Sequence, residues 1–472
     1  MSSMMCRIAA SRCALAKSWF ALFASACAGP PLPSSRDDLG LSVAKDLDPS
    51  AEVVAVELIA RTSTHEVMPD RPSSFATYSG FLPGPLIRAK RGNTLRVHFE
   101  NQLEEATTIH WHGVRVPNAM DGVPEMSQSA VQPQAAFDYS FELPDAGLFW
   151  YHPHQNSVTQ VGSGLYGAIL VEDPDEPPEL GDEAVLVLSD ASLGADGEVL
   201  APATDVNAVL AGNEGNLLLV NGRIYPTLLA SSGRRQRWRI LNAARSRYFE
   251  LGLEGHSFLQ IGSDGGRIET PVNVANPVLA PGERLDLLVT PKGDAGTSVD
   301  LMSLAYSRGL PLPRSQPQPL VKIEFVNDRP SSPPLSLPPS SIAPVDANGA
   351  ERVSIALTID SEQNGIRMGI NGVPFGDAEP VHARVGSTQV LVVDNKSPYS
   401  HPFHLHGFFF QALAADGSPE RPLALKDTID IPPLSRRELA TRYDDRPGMW
   451  MFHCHILDHA EAGMMGMIHV MR

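Results

Sequence analysis

The segment His453-Cys454-His455-Ile456-Leu457-Asp458-His459, followed by Gly463-Met464, puts one thiol, three imidazoles and a thioether close together in the chain. Cys454 is the only cysteine after position 27. Two histidines, a cysteine and a weak axial methionine are the ligand types of a blue-copper electron-transfer centre. A cysteine serving only as a small buried hydrophobe needs no such neighbours. In an extended strand, successive side chains point to opposite faces. Cys454 then faces one way, and His453 and His455 face the other. One short backbone path would join a sulfur-ligated metal to a second metal site behind it.

Three further histidine clusters supply that second site. They are His110-Trp111-His112-Gly113, His152-Pro153-His154 and His401-Pro402-Phe403-His404-Leu405-His406-Gly407, and with the first they hold ten of the 15 histidines. On a strand, each His-x-His pair presents both rings on one face. His401 is offset by three from His404 and so faces away from His404 and His406, as Cys454 faces away from its neighbours. Parity alone therefore sorts the ligands into two groups. His401, Cys454, His459 and Met464 form one site. His110, His112, His152, His154, His404, His406, His453 and His455 form a larger one.

The elements that must position these residues read as strands. The chain has 41 prolines and 38 glycines, with short alternating runs such as Val53–Ile59 and Thr94–Phe99 separated by turn signals. This predicts an all-β fold. Blocks one and three repeat each other. Gly92-Asn93-Thr94-Leu95-Arg96-Val97 precedes His110, and Gly386-Ser387-Thr388-Gln389-Val390-Leu391 precedes His401. Gly147 then leads to His152, as Gly448 leads to His453. Two copies of one module, each giving His-x-His pairs twice, imply facing metal-binding surfaces. The expected organisation is a leader at 1–27, a flexible lead-in at 28–49, a first domain at 50–174, a second at 178–327, a Pro/Ser-rich linker at 328–349 and a third domain at 350–472. The middle block lacks histidine pairs and reads as a spacer.

The four motifs, in this order and spacing, resemble those of the multicopper oxidases, the laccase-like family of three cupredoxin domains, over about residues 50–472. Leu219-Val220-Asn221-Gly222, Arg239-Ile240-Leu241-Asn242-Ala243 and Ser263-Asp264-Gly265-Gly266 are similar to the second domain of bacterial laccase-like and copper-efflux members. The resemblance implies three consecutive Greek-key β-sandwiches and four copper ions. His401, Cys454, His459 and axial Met464 would hold a type 1 copper. His110 and His404 would hold a type 2 copper. One type 3 copper would take His112, His152 and His455, and the other His154, His406 and His453. Electrons from small-molecule donors would enter at the type 1 site and pass through Cys454 to the three-copper cluster, where O2 is reduced to water. Asp121, in Asp121-Gly122-Val123-Pro124, matches the family's acidic residue near the cluster and would support proton transfer or hydrogen bonding.

Two departures from the family pattern bear on mechanism and substrate. Many bacterial relatives carry a carboxylate six residues after the cysteine; here that position is Ala460, with Asp458 and Glu461 close by. Copper-efflux relatives have Asp and Met just before the first type 1 histidine and a methionine-rich insertion. Here Ser397-Pro398-Tyr399-Ser400 stands there, with no such insertion between 351 and 395. Soft thioethers are what would hold Cu(I), so the expected donors are phenols or aromatic amines. A cuprous-ion oxidase is the nearest alternative, and a non-catalytic cupredoxin scaffold or copper carrier is the alternative of another class.

Composition narrows the partners and the location. Arg7, Arg12 and Lys17 precede the apolar run Ser18–Ala26 and then Cys27, a pattern resembling a secretory signal peptide. Export to the periplasm or medium is expected, with Cys27 as a candidate lipid anchor. The apolar run is too short to span a membrane, which takes ~20 residues. Without the leader's three positive charges, the net charge falls from −17 to −20. So acidic a surface excludes nucleic acid as a partner, and a monomer is expected. Gly162-Ser163-Gly164-Leu165-Tyr166-Gly167 fits a dinucleotide fingerprint but reads as a turn closing domain one, because a strand-like run follows it. His65, His98, His256, His382 and His469 are expected to be surface or packed residues. Met465 and Met467 are expected in the core, and Trp150 and Trp450 beside the metal sites in both repeats.

Overall fold

The computed structural model describes residues 39–472 except 178–179, 310–311, 313, 327–329, 339 and 363–364. The leader and Cys27 lie outside the described residues. Among these described residues, six sheets form three pairs. In the first pair, Arg71–Tyr78, Val53–Met68, Thr94–Asn101 and Ala136–Glu142 make one sheet, and Gly84–Lys90, Gly167–Glu172, Gly147–His152 and His110–His112 make the other. The strand Val53–Met68 buries Val54, Val56, Leu58 and Ala60 at alternate positions, as a strand with one core face must. These residues meet Ile87, Trp111, Phe149 and Ile169 of the second sheet in one core. Each such buried aliphatic or aromatic side chain contributes about 1.5–3 kcal/mol.

The third pair repeats the first. Glu351–Glu362 runs parallel to Thr388–Asn395, which is antiparallel to Arg436–Arg442, just as Val53–Met68, Thr94–Asn101 and Ala136–Glu142 are arranged. The sheet that carries the chemistry has the order Val381–Arg384, Met465–Met471, Gly448–Cys454, His401–Leu405 and Thr428–Ile431. The middle pair shares the topology, with Asp182–Ala191 parallel to Gln236–Asn242 and the latter antiparallel to Arg284–Val289. The molecule is an all-β protein of cupredoxin-type sandwiches.

Two segments outside the sheets contact the sandwiches. From Leu39 the lead-in packs along the first unit, with the Ala44 amide donating to the Leu86 carbonyl and the Leu86 amide to that of Ser42. Leu39 is buried, and residues 28–38 of the expected lead-in lie outside the described residues. The Pro/Ser-rich linker is pinned by Arg267, which donates to the carbonyl of Pro338. Helices are short: Ser157–Gly162, Val206–Ala211 and Leu457–Glu461. The helix Ser157–Gly162 precedes the glycine-rich turn and the strand Gly167–Glu172 follows it, the reverse of a dinucleotide-binding unit. Among the described residues, no helix is long and apolar enough to cross a membrane.

Candidate metal centre

Strand register sets the first contacts. His110 pairs directly with His152 across one antiparallel ladder, and His404 with His453 across another. The first and third units then meet ring on ring. His110 stacks on His406 at 3.8 Å, and His112 on His404 at 3.7 Å with only 9° between planes. Regular strand ends at His152, Leu405 and Cys454, yet the rings of His154, His406 and His455 still join the cluster. The Nε2 atoms of His154 and His406 lie 3.4 and 3.2 Å from that of His453.

Three groups of imidazole nitrogens each fall within 4.8 Å of one another: His110, His112 and His404; His112, His152 and His455; and His154, His406 and His453. The outer nitrogen of several rings is anchored. Nδ1–H of His110, His152 and His404 donates to the carbonyls of Asp121, Pro153 and Asp427 at 2.8, 3.0 and 3.0 Å. Nε2 of each of these rings is buried with no hydrogen-bond partner, as are Nδ1 of His112 and both ring nitrogens of His455. Unpaired buried polar atoms are costly. Each ring in its neutral form keeps one nitrogen lone pair, and bound cations would satisfy these converging atoms, so the residues fit a copper cluster. Burial also holds His112, His152, His154, His404, His406 and His455 below the usual histidine range, and His453 down to about 3. The rings are therefore neutral, the form that ligates a metal.

The sulfur site lies on the other face of the same strand. Cys454 Sγ is 3.5 Å from His401 Nδ1 and 3.6 Å from His459 Nδ1, and the two imidazole nitrogens are 3.1 Å apart. Ser397 holds the far nitrogen of His401 at 2.7 Å, and the Leu210 carbonyl accepts from that of His459 at 3.2 Å. Met464 is fully buried beside them, its amide donating to His459 and its carbonyl accepting from the Cys454 amide. Burial raises the thiol of Cys454 well above the usual cysteine range, so a bound cation is what would convert it to thiolate. His401, Cys454 and His459 thus gather on one side of the strand and the cluster histidines on the other.

Two buried carboxylates stand behind the cluster in matching positions. Asp121 accepts from His406 Nδ1 at 2.9 Å and lies 3.3 Å from His110 Nδ1. Its burial would raise its pKa, but His406 and His110 overcome this and hold it below the usual range. Asp427 of the third unit faces His112 Nε2 at 3.1 Å, and Thr428 bridges the two stacked rings at 3.1 Å to each. Asp427 is not among the site residues expected from sequence, because Lys426-Asp427-Thr428 lies in no histidine motif. The alternation of Asp427 with apolar residues on a buried strand was the available signal.

The middle unit is not merely a spacer. Arg284 donates to both oxygens of Asp427, and the backbone of Gly282 passes so close that a side chain there would touch His112 and His455 at 3.0 Å. These contacts come from a loop and a strand start, which histidine spacing cannot reveal. Asp458 takes no part in the cluster: it accepts from the amide of Asn213 at 2.9 Å and the hydroxyl of Ser246 at 2.8 Å, tying the helix Leu457–Glu461 to the middle unit. Glu461 accepts from the Val158 amide at 2.9 Å and lines a cavity of about 450 Å³ with His154, His453 and Ala460.

The remaining expectations divide. Trp150 packs 4.1 Å from the His152 ring, but Trp450 sits in the third core against Phe408. Trp150 shares the parity of His152, whereas Trp450 shares that of Cys454 and is directed away from the histidine cluster. His65 contacts Ser63, His98 pairs with Asp138, and His256 contacts the Glu254 carbonyl. Met465 and Met467 are half-buried on the sheet face away from the core, while Gly466 between them and Ile468 after them are buried.

Multicopper oxidase family profiles match residues 60–176, 185–299 and 348–472. The chain is 32% identical to the multicopper oxidase MmcO of Mycobacterium tuberculosis, over 95% of this chain and 93% of that protein. It is 26% identical to the laccase of Bacillus subtilis, over 89% of this chain and 95% of that one. The structure of a Campylobacter jejuni multicopper oxidase, described as a metallo-oxidase, superposes with a TM-score of 0.82 at 28% identity, covering 93% of this chain and 96% of that one. Paired histidine surfaces, a buried sulfur site and matches over all three units together show that this chain belongs to the multicopper oxidase family, copper-dependent oxidoreductases that use oxygen.

Proposed function

We propose that the protein is a laccase-like oxidase that takes single electrons from phenols or aromatic amines and delivers them to O2. His401, Cys454, His459 and Met464 are assigned to the type 1 copper and His110 and His404 to the type 2 copper. His112, His152 and His455 are assigned to one type 3 copper, and His154, His406 and His453 to the other. When bound, the coppers supply one-electron acceptance at the sulfur site and four-electron reduction of O2 to water at the cluster. The observation that carries the reading is the convergence of buried, partnerless imidazole nitrogens from the first and third units.

The chain's own residues divide the remaining work. Cys454 and its histidine neighbours form the covalent path between the two sites. Asp121 and Asp427 hold the tautomers and orientation of the rings behind which they stand. A cavity of about 290 Å³ lies against the segment that carries Leu210, the anchor of His459, and is lined by Gly212, Glu214, Tyr248, Tyr306 and Arg308. Tyr248 and Tyr306 stack at 5.2 Å, an aromatic wall suited to a flat aromatic donor. Domain limits of 50–174, 178–327 and 350–472, export by the leader and a monomeric state belong to the same proposal; fractionation and light scattering check the last two.

The test is copper stoichiometry and the absorption spectrum during oxygen consumption, with a phenol and Cu(I) compared as donors. Four coppers, a sulfur-to-copper band lost in Cys454→Ser, and phenol turnover lost with it are expected. Phenol oxidation that survives Cys454→Ser would overturn the wiring, and a strong preference for Cu(I) would move the assignment to a cuprous-ion oxidase.

A further inference from the structure

The strand geometry that turns Cys454 away from the histidines also lays out a second row of soft ligands. On the strand Met465–Met471, every odd position is Met or His: Met465, Met467, His469 and Met471. The even positions Gly466, Ile468 and Val470 are buried, while these four are half-buried. The neighbouring strand Gly448–Cys454 runs antiparallel, and its register sets Met449 opposite His469, Met451 opposite Met467 and His453 opposite Met465. His382, on the parallel edge strand, sits opposite His469, with their rings 5.9 Å apart.

Directly opposed residues of a ladder share a face and lie ~5 Å apart at Cβ. One sheet face therefore carries a continuous run of thioethers and imidazoles from the exposed edge at His382 inward to His453. Core packing does not account for it, because the core lies on the opposite face with Trp450, Phe452, Ile468 and Val470. Exposure falls along the run, from exposed His382 through half-buried His469, Met449, Met467 and Met465 to buried Met451 and His453, and methionine holds four of these seven positions on a face that is ordinarily polar where it meets water. The inner end opens into the cavity of about 450 Å³ where Met451 and Met465 meet His154 and His453.

We propose that this face is a binding track for a soft monovalent cation, Cu(I), which takes copper at the His382–His469 edge and passes it by way of Met449, Met467, Met451 and Met465 to His154 and His453. Thioether and neutral imidazole together select Cu(I) over harder ions. The net charge of −17 draws a cation to the surface. Each transfer exchanges a thioether or imidazole ligand for the next, so the ion keeps its charge and no electron or proton moves. The track explains how metal reaches a cluster whose imidazoles are almost all sealed from solvent. It rests on the assignment of His154 and His453 as copper ligands.

Ag(I), of the same charge and softness but inert to oxidation, is the probe. Titrated into the holoenzyme, it is expected to shift the methyl resonances of Met449, Met451, Met465 and Met467 and to bind at least one equivalent beyond the resident copper. The combined Met449→Leu, Met451→Leu, Met465→Leu and Met467→Leu variant loses that equivalent. In the copper-free protein under anaerobic Cu(I), the variant fills its cluster at least tenfold more slowly but reaches the same final copper content. His382→Gln with His469→Gln, at the exposed edge, slows filling without disturbing the fold, and Met302→Leu in the middle unit changes nothing. Equal Ag(I) uptake, or equal filling rates, in wild type and the four-methionine variant overturns the track. A wild-type protein that holds no cluster copper defeats the ligand assignment instead.

Discussion

Arg284 of the middle unit and Asp427 of the third form a two-pronged ion pair, at 2.8 and 2.5 Å, directly behind the ring of His112. All five N–H groups of this guanidinium are engaged. One goes to the Leu148 carbonyl in the first unit, two to the carbonyls of Gly282 and Asp264 in the middle unit, and two to Asp427. A single side chain thus joins three sandwiches at the edge of the metal cluster. Burial would raise the carboxyl of Asp427, but Arg284 holds it well below the usual range.

Arg284→Met strands a buried carboxylate and is expected to cost about 3–5 kcal/mol. Cluster copper falls while the sulfur-site absorption persists. Arg284→Lys keeps the charge without the fork and recovers only part of the loss. Denaturant unfolding with metal analysis checks this; unchanged stability and copper content in Arg284→Met would remove the pair from any structural role.

Gly282 tests how closely the middle unit supports the cluster. Its φ of +86° disfavours any side chain, and a Cβ there would lie 3.0 Å from atoms of His112 and His455. Gly282→Ala is expected to lose about 1–2 kcal/mol from the backbone alone and to disturb the cluster spectrum before the sulfur-site band. A variant with native spectrum and native melting temperature contradicts the close approach.

Asp458 serves stability rather than the cluster. Asp458→Ala leaves the amide of Asn213 and the hydroxyl of Ser246 without their acceptor and is expected to cost about 1–3 kcal/mol. Cluster copper content stays at the wild-type value. Loss of cluster copper in a folded Asp458→Ala protein would return this carboxylate to the site.

Asp430 gives the stability a pH dependence. Burial raises its carboxyl to about 6, against hydrogen bonds from Tyr248 and Ser400 that pull the other way. A folded value above the unfolded one means the proton is held more tightly in the native protein. That contribution is complete below the ordinary aspartate range and disappears as pH rises through about 6. Asp430→Asn, which resembles the protonated form, should therefore gain on the wild type by about 1–2 kcal/mol between pH ~4 and ~7, allowing for partial solvent screening. Parallel unfolding curves at both pH values, with no change in the difference, would refute the shift.

Much of the metal centre was legible because strand parity is a local rule. Two-residue periodicity separated His453 and His455 from Cys454, and His401 from His404, before any tertiary contact was known. The repeated Gly-to-His spacing likewise revealed the duplicated modules. The likeness of the repeats misplaced Trp450, whose spacing to its histidine differs by one residue from that of Trp150 and so reverses its face.

Which strands lie side by side, and in what register, was decided only by the folded chain. Asp427 and Arg284 are 143 residues apart, and no local pattern links a middle-unit arginine to a third-unit carboxylate. The methionines at 449, 451, 465 and 467 look like ordinary apolar residues along the chain and become one surface only when two strands pair. Ligand type and facing direction follow from covalent geometry within a few residues; the partners across a sheet or between sandwiches follow from burial of the whole, which no short stretch of sequence contains.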